Sequence, residues 1–383
     1  MNFPIKYRPL RFDQIVGQEI PIKIAQASIN SDELQSTYLL VGGSGTGKTT
    51  LARIMARSLN CRNRDGVEPC NECDNCQAHL NGQSLAIAEI NGSDKNGVDD
   101  VRELIESCQV HTLNGTYRVV ILDECHQMSK PAQNAMLKLL EDPPLNTVFI
   151  LCTTEEDKLL ETIRSRARIL RFHTVAKDLV VGFILNIAYH EGIALTEQEA
   201  EKIYEYNKGS IRKSLQTLSS VSPQLTVAQL CPSIDPNDLK SLFIAFDSKD
   251  YLAINSTLQK IVDKGFYPKQ ILIDLIDLAI DTMAQPNVNH NFVFNCNKAI
   301  EIILPIVNNL GINSSALTNC RLALYQVLNE WDSSIGVTST TQPDPQPTPS
   351  QPISSQPVPS VNHTVRTPQV QLFPVPTNHV PYQ

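Results

Sequence analysis

Two stretches of this 383-residue chain combine residue types and spacings that can do chemistry. The first is GGSGTGKT at 42–49, a G-x-x-x-x-G-K-[ST] pattern. Gly42, Gly43, Gly45 and Gly47, with Ser44 and Thr46 between them, let backbone N–H groups turn inward onto phosphate oxygens. Lys48 then reaches the β- and γ-phosphates and the Thr49 hydroxyl reaches Mg²⁺, with Thr50 next in line. The apolar run YLLV precedes this loop and the amphipathic KTTLARIMARSL follows it. The loop therefore joins a strand to a helix, whose N-terminus adds favourable partial charge.

YRVVILDECH at 117–126 supplies a second half. A buried strand there delivers Asp123 to its C-terminal end, where open parallel sheets bind ligands. Asp123 would hold Mg²⁺, mostly through water. Glu124 can orient and deprotonate the attacking water, so the site is expected to hydrolyse ATP as well as bind it. TVFILCTTEE places the Thr153 and Thr154 hydroxyls near the γ-phosphate if its strand lies between the other two. TIRSRAR at 162–168 puts arginines just before the strand ARILRF, where one could reach a neighbouring subunit's phosphate. A solvated basic face is the plainer reading. GSIRKSL sets Arg212 at a helix start, where an exposed arginine is equally ordinary.

The second stretch is CRNRDGVEPCNECDNC at 61–76, which holds four of the ten cysteines. Cys70, Cys73 and Cys76 form two overlapping C-x-x-C steps and Cys61 returns as a fourth ligand. Four thiolates suit a closed, structural tetrahedral zinc site. Iron–sulfur ligation and reduced free thiols are the competitors. The remaining cysteines lie in apolar contexts and read as core. A metal module on the helix after a phosphate loop is not needed for ATP chemistry, which suggests a partner-facing or shape-defining role.

These residues need a scaffold. The runs YLLV, LAIAEI, YRVVILD, TVFILCT and ARILRF are strand-length and apolar, as buried parallel strands are, and helical patterns alternate with them. Residues 1–175 thus read as an α/β layered domain. Residues 176–222 are helical only, with a capping box at Thr196 and Glu199. After Pro223 a separate all-helical domain is expected to run to 332. Residues 333–383 read as a disordered or polyproline-like tail: 336–383 carry eleven prolines and two charged side chains, Asp344 and Arg366.

The formal net charge of −8 argues against a simple charge-driven nucleic-acid binder, although a basic stripe in a ring stays compatible with it. The N-terminus lacks the apolar core of a signal peptide, and no apolar run approaches the ~20 residues that span a bilayer. A cytoplasmic location is expected, where disulfides are rare and clustered cysteines are metal ligands.

The motifs in order resemble the gamma/tau ATPases of bacterial DNA polymerase III clamp loaders, of the AAA+ class. The matching stretches are KYRPLRFDQIVGQE, GGSGTGKTTLAR, LNC with PCNECDNC, EINGSDKNGVDDVREL, VVILDECHQMS, NAMLKLLEDPP, TTEEDKLLETIRSRA and GSIRKSL. The likeness is strong over about 1–220. It implies an AAA+ P-loop ATPase domain with an inserted zinc module, a helical lid over 176–222 and an oligomerising collar over 223–332. It further implies ATP, Mg²⁺ and Zn²⁺ as cofactors. The implied partners are the other loader subunits in a ring, the sliding clamp, the DNA polymerase core and primer–template DNA. Residue by residue, it assigns Lys48, Thr49, Asp123 and Glu124 to phosphate, magnesium and water, Thr154 and Arg212 to the two sensor positions, and Arg166 to the trans-acting finger. Tyr7, Arg8, Val16 and Gly17 fall where the adenine pocket is, and Lys95 where the family offers groups to the template backbone. Ala167 stands where the family usually has Cys, and DECH replaces DEVH, with no catalytic group lost.

QVQLF in the tail resembles the short clamp-binding peptides of bacterial polymerases, with Gln369, Leu372 and Phe373 as contact residues. Two alternatives stand beside the motor: a non-hydrolysing stator-type subunit, against which Lys48, Thr49 and Glu124 speak, and another AAA+ ring machine, against which the cysteine module speaks.

Overall fold

The computed structural model describes residues 2–30, 34–94, 97–108, 117–286, 288–309 and 316–331, with side chains left aside at 105–108. Lys95 and the tail residues Gln369, Leu372 and Phe373 lie outside the described residues, as does the expected disordered tail.

Five parallel strands form one sheet: β1 (Thr37–Val41), β2 (Ile87–Asn91), β3 (Arg118–Asp123), β4 (Thr147–Thr153) and β5 (Arg168–Arg171). Their order is β2-β3-β4-β1-β5, so the strand ending at Thr153 lies between the one ending in the phosphate loop and the one ending at Asp123. The sequence run at 85–90 becomes a strand only from Ile87, which places Asn91 beside Asp123 in register.

Helices α1 (Phe3–Lys6), α2 (Glu19–Asn30), α3 (Lys48–Asn60), α4 (Asp74–Leu80), α5 (Val98–Cys108), α6 (Lys130–Glu141) and α7 (Glu161–Arg164) alternate with these strands. Successive strand side chains point to opposite faces, and the residues divide accordingly. Tyr38, Leu40, Val119, Ile121, Val148 and Ile150 pack with Leu51 and Met55 of α3 and Ala25 of α2. Leu39, Val120, Leu122, Phe149 and Leu151 face the other way, onto Val101 of α5 and Met136 of α6. Both faces are covered, which is why the strands are apolar throughout rather than alternating.

Helices α8 (Lys177–His190), α9 (Glu197–Tyr206), α10 (Ile211–Ser220) and α11 (Val227–Leu230) follow. Thr196 and Glu199 close a reciprocal capping box on α9, and Ser210 caps α10 by accepting from Lys213 N–H. Val227 and Cys231 are buried with Ile203 and Leu218, so the first compact unit runs to Pro232, beyond the 222/223 boundary expected from Pro223.

The second unit begins at Ser233, and its elements among the described residues are all helices: α12 (Pro236–Asp247), α13 (Tyr251–Asp263), α14 (Pro268–Met283), α15 (His290–Asn309) and α16 (Ala316–Glu330). Its core centres on Leu242, Phe246, Leu272, Leu324 and Trp331. The Trp331 indole N–H donates to Asp247 at 2.6 Å, so the buried ring keeps a polar partner. Asp238, buried, is held by Lys260 at 2.6 Å and Lys264 at 2.7 Å, and both ammonium groups keep its carboxyl below the usual range.

Candidate nucleotide site and cysteine cluster

At the C-terminal edge of the sheet the phosphate loop, the end of β3 and the start of α10 enclose a cavity of about 370 Å³. That volume suits a small-molecule ligand. Ser44 to Thr50, Asp123, Glu124 and Arg212 all line it. Tyr7, Arg8 and Val16 line it as well. Gly45 shows why the loop is glycine-rich. Its φ is +77°, and a Cβ there would sit 2.4 Å from Ser210 Oγ, so α10 comes directly against the loop.

The polar groups are already organised. The Thr49 hydroxyl donates to Asp123 Oδ2 at 2.8 Å, which brings the two expected magnesium groups together. Lys48 donates to the carbonyl oxygens of Gly42 and Gly43 at 2.8 and 2.9 Å. Burial pushes its ammonium below the ordinary lysine value, and the Glu124 and Asp123 carboxylates partly offset this. The Thr154 hydroxyl donates to Glu124 Oε2 at 3.2 Å. Glu124 sits in the left-handed region at φ +47°, a strained backbone of the kind that gathers at functional sites.

Gly17, Gly42, Gly43 and Thr154 do not line the cavity, although Thr154 reaches it through Glu124. Arg166 is elsewhere: its guanidinium pairs with Glu141 at 2.6 Å and donates to Thr162 O at 2.8 Å.

Several lining residues were not anticipated. Asn91 and Arg53 join the carboxylate side, and Ile211, Leu215 and Phe183 add apolar surface. Arg53 makes a bidentate pair with Glu89 at 2.8 and 2.6 Å. The His126 ring is covered, with Nδ1 3.1 Å from Thr153 Oγ1 and 3.4 Å from Glu124, and Nε2 3.3 Å from Glu155. The His of DECH was a visible signal for that contact. Tyr7 is tied to Glu191, which also holds Lys6, and burial together with that carboxylate raises the Tyr7 phenol.

Gly92 sets the position of Glu124. Its N–H donates to Asp123 O at 2.7 Å, and a Cβ there would lie 2.7 Å from Glu124 O and 3.2 Å from Cys125 Cα. Gly92→Ala must therefore displace the Glu124 backbone. Turnover is expected to fall about 10²-fold, the cost of an ångström-scale misplacement, and the melting temperature to fall with it, because the atoms that must give way are backbone. Steady-state kinetics beside a thermal melt checks this.

The cysteine module hangs between α3 and α4. The sulfur atoms of Cys61, Cys70, Cys73 and Cys76 all lie within 4.8 Å of one another. Cys61 and Cys70 are 3.4 Å apart, and Cys61 and Cys73 4.0 Å. A tetrahedral zinc with Zn–S bonds of about 2.3 Å requires S···S separations near 3.8 Å, so the four ligands fit the ion. Backbone N–H groups of Cys70, Glu72 and Cys73 donate to these sulfurs at 3.3–3.4 Å, the support thiolates need. Burial opposes ionisation of Cys73, but N–H groups of Arg62 and Cys76 and neighbouring thiols hold it down at about 6. Cys125, Cys152, Cys231, Cys296 and Cys320 are buried elsewhere as single residues.

The parallel α/β sheet and the glycine loop define a P-loop protein with a nucleotide-sized site. A family model described as "DNA polymerase III, delta subunit" matches residues 17–176. The DNA polymerase III subunit gamma of Buchnera aphidicola is 30% identical over 286 residues, 72% of this chain and 79% of that protein. The chain belongs to the DNA polymerase III gamma/tau family. Gamma/tau of Mycoplasma genitalium is 38% identical over 57% of this chain and 36% of its own length. Subunit tau of Bacillus subtilis is 32% identical over 70% of this chain and 49% of its own. The chain thus spans about a third to a half of these first curated relatives. Among solved structures, a single-residue variant of Thermotoga maritima RuvB gives a TM-score of 0.47 at 19% identity, over 84% of this chain and 90% of that one. The Thermotoga maritima RuvB Holliday junction branch migration motor gives 0.45 at 20%, over 63% of this chain and 79% of that one. Likeness of that degree is too low to carry a functional argument. No helix among the described residues is long and apolar enough to cross a membrane.

Proposed function

We propose that the chain is the ATP-hydrolysing motor subunit of a DNA polymerase clamp loader, opening a sliding clamp and placing it on primed DNA. The observation that carries this is the pair of contacts at the cavity's acidic residues, Thr49 to Asp123 and Thr154 to Glu124, in a chain of the gamma/tau family. ATP lies with its phosphates on Lys48 and the loop N–H groups and its base against Tyr7, Arg8 and Val16. Thr49 and Asp123 hold Mg²⁺. Glu124 takes the proton of the attacking water, Thr154 and Arg212 read the γ-phosphate, and Arg166 serves the next subunit's site. Residues 176–222 act as a lid and the all-helical unit as the collar. Lys95 contacts template phosphates, and Gln369, Leu372 and Phe373 bind the clamp. The partners are the other loader subunits, the clamp, the polymerase core and primer–template DNA. The protein acts in the cytoplasm.

The four thiolates hold one structural Zn²⁺ per chain. Elemental analysis is expected to find one zinc and no iron. Chelation, or Cys73→Ser, is expected to lower the melting temperature of the first unit, because ligand closure contributes directly to folding. Iron in stoichiometric amount, or an unchanged melt after metal removal, would exclude this role.

A stator-type subunit is the second reading, favoured by the delta-subunit family model. ATP turnover in a reconstituted loader, with and without clamp and primed DNA, separates the two. The motor reading expects turnover that rises with both ligands. No turnover above a loader lacking this chain supports the stator.

A further inference from the structure

Helix α3 begins at the phosphate loop with Lys48 and ends next to Cys61, so one rod joins the two chemical stretches. A second connection runs through hydrogen bonds. Glu68, in the cysteine module, accepts the backbone N–H of Phe12 at 2.8 Å and of Asp13 at 3.3 Å. Asn71 Nδ2 donates to Leu10 O at 3.3 Å. Arg57 of α3 donates to that same oxygen at 3.0 Å and to Asn71 Oδ1 at 3.0 Å. Leu10 to Asp13 is the span between Tyr7 and Arg8 on one side and Ile15 and Val16 on the other, all four of which line the nucleotide cavity. Glu68 and Asn71 line none of it.

We propose that Glu68, Asn71 and Arg57 are positioning residues by which the metal-closed cysteine module sets the base-side wall of the nucleotide pocket. The proposal rests on the reading of that cavity as an ATP site.

The physical case has three parts. Residues 8–18 contain one short turn, Phe12–Gln14, so their path is fixed by contacts outside regular structure: the buried Phe12 and Val16 side chains, the Gln18–His173 pair and the hydrogen bonds from the cysteine module. Asn71 lies between Cys70 and Cys73 in the left-handed region at φ +58°. Its side chain keeps its aim only while that turn is held, and a bound metal supplies a rigid closure of the turn. Arg57 is 2% exposed and ion-pairs with no carboxylate among the described residues. Four thiolates around a divalent ion carry net negative charge, which suits this buried cation. Arg57 thus joins α3, the pocket segment and the module at one point.

The test uses the full chain and two probes, Mg-ATP and Mg-tripolyphosphate, each measured by displacement of a fluorescent ATP analogue. Asn71→Gly keeps the left-handed turn and removes the side chain, and Glu68→Gln keeps shape while weakening one acceptor. Each is expected to weaken ATP binding, about tenfold for Asn71→Gly and less for Glu68→Gln, as the loss of one or two hydrogen bonds predicts. Tripolyphosphate binding should not change, because Lys48 and the loop are untouched. Zinc-depleted wild-type protein in excess Mg²⁺ should show the same selective loss. In Asn71→Gly, depletion should add little, since two steps on one path are not additive. Unchanged ATP affinity, or equal loss of both probes, overturns the proposal. Wild-type protein that binds neither probe removes the ATP reading itself, and the proposal with it.

Discussion

Glu124→Gln is expected to reduce ATP turnover about 10³-fold, within the range for a lost general base, and to leave Mg-ATP affinity nearly unchanged. The amide has the same shape and can still accept the Thr154 hydroxyl, which lies 3.2 Å from the carboxylate. Its left-handed backbone is fixed by Asp123 and Gly92, so the substitution does not relax that strain. What is lost is the ability to take a proton. Such a variant should bind ATP and the clamp and then fail to let go. Steady-state turnover beside nucleotide titration makes the distinction. A KM rise with unchanged kcat would mean that Glu124 binds ATP without assisting hydrolysis.

The second large effect concerns Arg166. In the assembled loader Arg166→Ala is expected to lower turnover about 10³-fold, the scale of a trans-acting arginine. The fold should tolerate it. Its partner Glu141 is half exposed, and exposed ion pairs contribute about 0–1 kcal/mol. The proposed trans role would need Arg166 to leave Glu141, and the same weakness makes that cost small. Mixing decides between cis and trans action. A subunit lacking Lys48 still carries Arg166, and a subunit lacking Arg166 still carries Lys48. Combining the two inactive variants should recover turnover at mixed interfaces. Absence of any recovery would place Arg166 outside the neighbouring site.

Some of this arrangement was legible along the chain because its parts are local. The phosphate loop, the Asp123–Glu124 pair and the C-x-x-C steps each fall within a few residues, and spacing alone suggests their chemistry. The strand positions could be read from five apolar runs, and the place of TVFILCT between the other two followed only conditionally. Asn91 was missed because its role depends on a strand ending one residue later than the apolar run. Arg53 and Glu89 pair across a helix and a strand, a relation that no local pattern encodes. Glu68 accepts from the backbone N–H groups of Phe12 and Asp13 and Asn71 donates to Leu10 O, and a backbone partner leaves no mark in sequence. The boundary at Pro232 was displaced from Pro223 because Val227 and Cys231 complete an apolar cluster formed by α8–α10. A proline marks where regular structure stops, whereas burial decides which unit a short helix joins.

The central claim is that one magnesium–ATP lodges between the phosphate loop, Asp123 and Tyr7 of a single chain, held by Lys48. Calorimetric titration of the full chain with Mg-ATP, for wild type and Lys48→Ala, tests it most directly. One site per wild-type chain and no measurable binding in the variant are expected. Equal affinity in both proteins, or no binding in wild type, would contradict it.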